Sequence, residues 1–150
     1  MCSSDLPSDP DPVQRASVVA WTRGLPRVAP PLPLDGAQRP WPLAPLLALV
    51  LAVHVLHLAP RALVEALAAE SARLLAPGGL VVVHGAFLDE AGRAPSPRMD
   101  TFHRTLTARD PEHGLRRRVD VEAALRACGL WAWSARRYDD DQHTLVFVQR

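Results

Sequence analysis

The residues with the broadest chemical reach are His54 and His57, which close the apolar run Leu46 to Val53. An imidazole titrates near neutral pH, so it can take up or deliver a proton or ligate a metal. With the run read as a strand, His57 comes at the carboxyl edge of the sheet, where ligands of open α/β folds bind. There it either lines a pocket and serves as a base, or it is an ordinary hydrogen-bonded core histidine. Residues three apart on a strand point to opposite faces, which makes His54 and His57 a poor H-x-x-H zinc pair. Asp139 to Asp141 offer carboxylates to a cation, yet one turn without further ligands reads as a hairpin loop. His84-Gly85 after a strand has the form of an oxyanion-hole word, but no G-x-S-x-G elbow supplies a nucleophile. Trp131 and Trp133 share one strand face, which reads as packing against a helix rather than a stacking platform for bases.

Composition narrows the classes. The 150 residues have room for one domain, and 17 basic against 16 acidic residues leave a net charge of +1, which speaks against a dedicated nucleic-acid binder. A hydrophobic share of 48% with 22% charged is the balance of a globular chain with a core. Lys, Ile and Asn are absent and every cation is Arg, the mark of a GC-rich, bacterial genome. The same bias discounts the 15 prolines as a sign of disorder, and it makes Arg116-Arg117-Arg118 a solvated face rather than a phosphate site. Two cysteines, Cys2 and Cys128, make no disulfide framework, so a reducing cytoplasm fits. The apolar stretch Leu43 to Ala59 is short of the roughly 20 residues needed to span a bilayer and is broken by Pro45, His54 and His57, so it reads as buried core.

The elements that must position these groups follow from caps and periodicity. Asp11-Pro12-Val13-Gln14 has a cap, a proline at the first helical position and a glutamine at the third, predicting a helix from Pro12 to about Arg23 with Gly24 stopping it. Leu46 to Val53 is a strand or a helix by periodicity, and context favours strand. From Pro60 a helix places Leu63, Ala66, Leu67, Glu70 and Leu74 near one face, with Gly78 past its end. A tight Pro-Gly-Gly turn then leads into Gly79 to Val83, a run with the pattern of a central parallel strand covered on both faces. Ser96-Pro97 opens a helix toward Arg109, Asp120 caps a last helix ended by Gly129, and Trp131 to Ala135 pairs with Thr144 to Val148 as an antiparallel hairpin. The fold class is α/β.

Leu74-Leu75-Ala76-Pro77-Gly78-Gly79-Leu80-Val81-Val82-Val83 resembles the helix, turn and fifth strand of class I S-adenosylmethionine-dependent methyltransferases, whose sheet also ends in an antiparallel pair. Pro7-Ser8-Asp9, Ala20-Trp21, Pro31 to Asp35, Pro40-Trp41-Pro42, Leu56-His57-Leu58, His84 to Phe87 and Ala108 to Pro111 follow the order seen in one methyltransferase-like family, domain of unknown function 938, over residues 7 to 150. The resemblance implies an incomplete Rossmann-like class I methyltransferase sheet, mostly parallel with an antiparallel C-terminal hairpin. It implies S-adenosylmethionine as cofactor in the complete protein, a methyl acceptor of unknown identity, and neither a membrane nor a specific nucleic acid as partner. The resemblance puts Asp9 where this fold places an acidic partner for the cofactor ribose and Asp35 near its adenine, each alternatively a solvated loop acid. His54 is grouped with them as cofactor-binding, His57 is the candidate catalytic base by its place at the carboxyl edge of the sheet, and by the same argument His84, Phe87 and Ser96 border the substrate cleft, Phe87 alternatively as plain core.

Departures accompany the likeness. His54 stands where members carry asparagine, Ser96-Pro97 replaces a Ser-Asn pair, and His113 replaces a tryptophan. The glycine-rich turn after the first strand, which lets backbone approach the cofactor, is not in these 150 residues. Met1 to Leu6 match what the end of a common sequencing adapter encodes, so residues 1–6 are expected to be an assembly scar and 7–150 the C-terminal part of one domain. The alternative is a genuine N-terminus. Two functions stand: a methyltransferase-like protein that is inactive as this fragment, or a noncatalytic protein-interaction module on the same fold.

Overall fold

A computed structural model of the chain describes residues 5–138 and 141–150. Helix α1 (Pro12–Trp21) begins as its sequence demands, with the Asp11 carboxylate accepting from Val13 N at 2.8 Å and Pro12 at the first position. It ends at Trp21 rather than Arg23, because Thr22 and Arg23 already belong to the turn that leads to Gly24, whose φ is +84°. No residue of α1 is buried.

The main sheet has the order β1 (Leu47–Val53), β2 (Leu75–Gly85), β6 (Gln142–Val148), β5 (Trp131–Tyr138). β1 and β2 run parallel, while β6 lies antiparallel to β2 and β5 antiparallel to β6. A two-stranded parallel ribbon joins β3 (Phe87–Leu88) to β4 (Arg116–Arg117), and isolated parallel bridges link Asp5 to Val28 and Ser8 to Leu32. This is the expected α/β arrangement, parallel except for the C-terminal hairpin. Asp139 and Asp140, expected in the hairpin turn, lie outside the described residues.

Helix α2 (Ala62–Leu74) connects β1 to β2 and packs with α4 (Arg118–Ala127) on one side of the sheet. Leu63, Leu67 and Leu74 of α2 meet Val121 and Leu125 of α4, Val81 and Val83 of β2, and Leu145 and Phe147 of β6 in one core. Fully burying each such side chain contributes about 1.5–3 kcal/mol. Glu70 shares the buried face of α2 because its charge is answered there by three partners. Its carboxylate accepts from Trp41 N at 3.0 Å and pairs with Arg39 and Arg73. The Pro40-Trp41-Pro42 word is thereby pinned to α2, and Trp41 Nε1 closes the link by donating to Gly36 O at 3.0 Å. A second cluster, Ala86, Leu88, Met99 and Leu115, sits beneath α3 (Pro97–Arg109).

Several expectations need correction. The Pro-Gly-Gly segment is a bulge inside β2 rather than a turn before it: Leu47 pairs with Leu75 and Leu49 with Leu80, so four residues are accommodated between. Gly78 there has φ +80° and donates to Gln149 O at 2.7 Å. β2 is fully covered on one face only, since Val82 and His84 are half-buried while Val81 and Val83 are buried. The stretch Leu43 to Ala59 is not wholly core: Leu46, Leu49, Leu51 and Val53 are exposed, Leu51 by 59%. Asp120 does not cap α4, because Arg117 binds its carboxylate through two bonds of 2.8 and 2.7 Å and the helix starts earlier, at Arg118. Trp131 and Trp133 pack on no helix; β5 is an exposed edge, its register shifts between Ala132 and Ser134, and the Arg150 guanidinium stacks on Trp131. Among the described residues no helix is long and apolar enough to cross a membrane.

Candidate functional site

The carboxyl ends of the parallel pair β1 and β2 gather three histidines. β1 ends at Val53, and His54 turns the chain with φ +54°, a conformation few non-glycine residues adopt, while its N–H donates to His84 O at 2.9 Å. The next residues form a short 3-10 turn, Leu56–Leu58, that carries His57 inward. Opposite-face geometry therefore does not apply to this pair: the rings of His54 and His57 meet edge to face at 5.9 Å between centroids, and those of His54 and His84 at 5.2 Å. A Cβ placed on Gly85 would lie 3.8 Å from His54 Nδ1, an ordinary van der Waals distance, so the His54 ring packs against this strand end without depending on the glycine.

The three imidazoles differ in setting. His54 is exposed, His84 half-buried and His57 buried. Burial, then the neighbouring His54 and Arg116, push the His57 pKa down from 6.5 to about 4, so its ring is neutral at physiological pH. The His57 carbonyl accepts from Gly114 N at 2.9 Å, and Phe102 of α3 contacts its ring edge to face at 5.3 Å. His84 Nδ1 lies 2.8 Å from Thr144 Oγ1, and Tyr138 abuts its ring. No group of three His, Cys, Asp or Glu among the described residues could hold a metal ion.

The other predicted positions take separate places. Asp9 is half-buried and accepts from Asp11 N at 2.8 Å, while Asp35 holds its own turn through Ala37 N at 3.0 Å and Gln38 Nε2 at 2.9 Å. Ser96 caps α3, its hydroxyl accepting from Met99 N at 3.3 Å. Arg98 and then Ser96 also hydrogen-bond Asp141 and hold that carboxyl below its usual range. Phe87 is buried, faces the His143 ring at 6.2 Å, and lines a cavity of about 660 Å³ with Arg93, Ala94, Pro95 and Arg137. Of the three substrate-cleft candidates, Phe87 alone lines that cavity.

The arginine triplet is not a uniform solvated face. Arg118 pairs with Glu122 and Arg117 with Asp120, whereas Arg116 is only 7% exposed. The triplet's composition concealed this. Gly114 and Leu115 just before it are buried, and the apolar Gly-Leu pair was the one local signal that the chain runs inward there.

A mixed sheet with a parallel β-α-β unit and a C-terminal antiparallel hairpin is a Rossmann-like α/β fold, with polar groups gathered at the carboxyl ends of its parallel strands. Solved structures agree on the fold. An O-methyltransferase family 2 protein from Planctomyces limnophilus, determined in complex with apigenin, superposes with a TM-score of 0.76 at 17% identity over 98% of this chain and 44% of its own. An O-methyltransferase family protein from Burkholderia thailandensis gives 0.79 at 14% identity, over 97% and 43%. Human N-acetylserotonin methyltransferase in complex with SAM gives 0.66 at 18% identity, over 87% and 38%. The chain thus spans under half the length of these three proteins. Residues 3–147 match the family described as Protein of unknown function (DUF938), and the chain belongs to that family.

Proposed function

We propose that this chain is the C-terminal part of an S-adenosylmethionine-dependent methyltransferase domain acting on a small-molecule acceptor. The observation that carries the reading is the histidine group at the carboxyl ends of β1 and β2, on a fold shared with O-methyltransferases. Methyl transfer from a sulfonium is an in-line displacement, so a protein contributes positioning, electrostatics and, for hydroxyl acceptors, a base. His57 is the proposed base: it is neutral, held by Gly114 and Phe102, and linked through His54 to solvent. The cavity lined by Phe87 has the volume of an ordinary small-molecule site, but none of His54, His57 and His84 lines it, so the reacting hydroxyl of the acceptor is proposed to sit at the histidine group instead.

On this chain alone the residues do not fit the cofactor. Both Asp35 oxygens are used within its own turn, Asp9 keeps one oxygen for a ligand, and no glycine-rich turn follows a strand beside them. The domain is proposed to be completed by a segment lying between the Asp5–Ser8 bridges and β1, whose outer edge pairs with no described strand. The experiment is calorimetric titration of S-adenosylmethionine into this chain and into the protein carrying whatever its gene encodes upstream of residue 1. Negligible binding by the first and saturable binding by the second is the expected pair of results. Saturable binding by the 150-residue chain would refute the incomplete-site reading, and failure of the extended protein to bind would sink the methyltransferase proposal.

A further inference from the structure

We propose that the cavity enclosed by the first turns of α2 and α4 and by α3 is a binding site for a small oxyanion, a carboxylate or phosphate group, held by Arg116 with Arg61 and His103. The space measures about 400 Å³ and is lined by these three residues together with Glu65 and Arg117. It lies on the helix-covered side of the sheet and shares with the Phe87 cavity only the wall residue Leu88.

Arg116 is the centre of the argument. A guanidinium is permanently charged, and burying it is costly unless its donors and its charge are both answered. Arg116 is 7% exposed; its Nη2 donates to Ala59 O at 2.6 Å and Glu112 O at 2.7 Å, while Nε is buried with no partner among the described residues. No carboxylate forms an ion pair with it among the described residues. Burial and then the neighbouring Arg61 push its pKa down, and the Glu112 carboxylate offsets this only in part, so a second cation acts on Arg116 more strongly than the nearest acid.

The surroundings point the same way. Arg61 occupies the cap position of α2 and Arg117 that of α4, and neither helix receives a side-chain cap. Helix N-termini present free N–H groups and a positive dipole end, which favour an anion and disfavour arginine, although at α2 Leu63 N and Val64 N already donate to Pro60 O and Arg61 O. Both helix starts border this one cavity. His103 Nδ1 accepts from Leu115 N at 3.1 Å, which leaves the neutral ring's proton on Nε2 as a further donor. Asp120 is occupied by Arg117, so Glu65 is the one lining carboxylate not engaged in an ion pair with a described residue. An oxyanion at the centre would answer Arg116 and Arg61 together.

The test is calorimetric titration of the 150-residue chain with sodium phosphate and with sodium acetate, against sodium chloride at matched ionic strength. Saturable binding is expected for at least one of the two oxyanions. Phosphate alone would identify a phosphoryl-bearing ligand, acetate alone a carboxylate, and both a general oxyanion site. Arg116→Met is expected to abolish the signal, Arg61→Gln to weaken it by roughly threefold to fivefold, and Glu65→Gln to strengthen it. Heats equal to those of chloride, or an affinity unchanged in Arg61→Gln, would overturn the proposal. Arg61 is exposed, so that variant decides the matter even where Arg116→Met unfolds the chain.

Discussion

His54 carries a conformational load that its side chain does little to relieve. At φ +54° the left-handed backbone brings Cβ too near the following carbonyl, and among residues with side chains Asn bears this best because its short amide bonds locally. The family resemblance places asparagine at this position, so His54→Asn is expected to stabilise the fold by about 0.5–1 kcal/mol in urea unfolding. His57 makes the opposite kind of demand. Its unfolded form protonates near pH 6.5 and its folded form near 4, so between those values the unfolded chain takes up the extra proton. The sign follows: stability is intact above pH 6.5 and falls as pH drops toward 4, by an amount on the order of 2 kcal/mol after solvent screening. Urea unfolding across this same range of pH should show the fall in the parent chain and a shallower one in His57→Gln. Equal slopes would mean that His57 is not the group being titrated.

At the scale of elements, the passage from α2 into β2 is the best-determined joint. Its sequence, Ala76-Pro77-Gly78-Gly79, announces a chain reversal, and the reversal is real, but it is built as a bulge within the strand ladder. The two glycines differ in what they permit. A Cβ on Gly78 would meet nothing within 4 Å, whereas one on Gly79 would lie 2.8 Å from Ala76 O and 2.9 Å from Leu47 O, both backbone atoms unable to retreat. Gly79→Ala is therefore expected to cost about 2–3 kcal/mol, and Gly78→Ala about 1 kcal/mol from its positive φ alone, as thermal unfolding would measure. Glu70 marks a limit of pattern reading. Periodicity correctly placed it on the buried face of α2, but its partners Arg39 and Trp41 lie about thirty residues away, and no local rule pairs them. Arg116 was hidden in part for the same reason, since one of its acceptors, Ala59 O, lies 57 residues away, although the other, Glu112 O, is only four residues away. Caps such as Asp11 and Ser96, which act within three residues, were legible. The histidine group was half legible: the strand end before His54 could be read, but the left-handed turn that swings His54 beside His57 is a tertiary outcome.

At the scale of the molecule, the sheet has two bare edges among the described residues: β5, which carries the arginines Arg136 and Arg137, and β1, which carries no charge. β1 pairs with β2 along one edge, and along its face the exposed Leu49, Leu51 and Val53 continue the apolar surface begun by Leu46. Natural edges are normally covered, charged or shortened, because a bare strand with apolar side chains recruits any strand that can pair with it. α1 is in a matching condition, with Val13, Val19 and Trp21 exposed and none of its residues buried. On the proposed reading of the chain as part of a longer domain, both features are surfaces for a further strand beside β1. In the 150-residue chain the substitute neighbour is expected to be a second copy, so sedimentation velocity should show concentration-dependent self-association. Leu51→Lys places a charge in the middle of that surface and should weaken the association by about tenfold or more without altering the far-UV spectrum. If the proposed upstream segment supplies that strand, the extended protein should sediment as a species independent of concentration. A chain that remains monomeric at all concentrations, or an extended protein that associates as readily as the short one, would mean that the β1 edge is tolerated as it stands and that no strand belongs beside it.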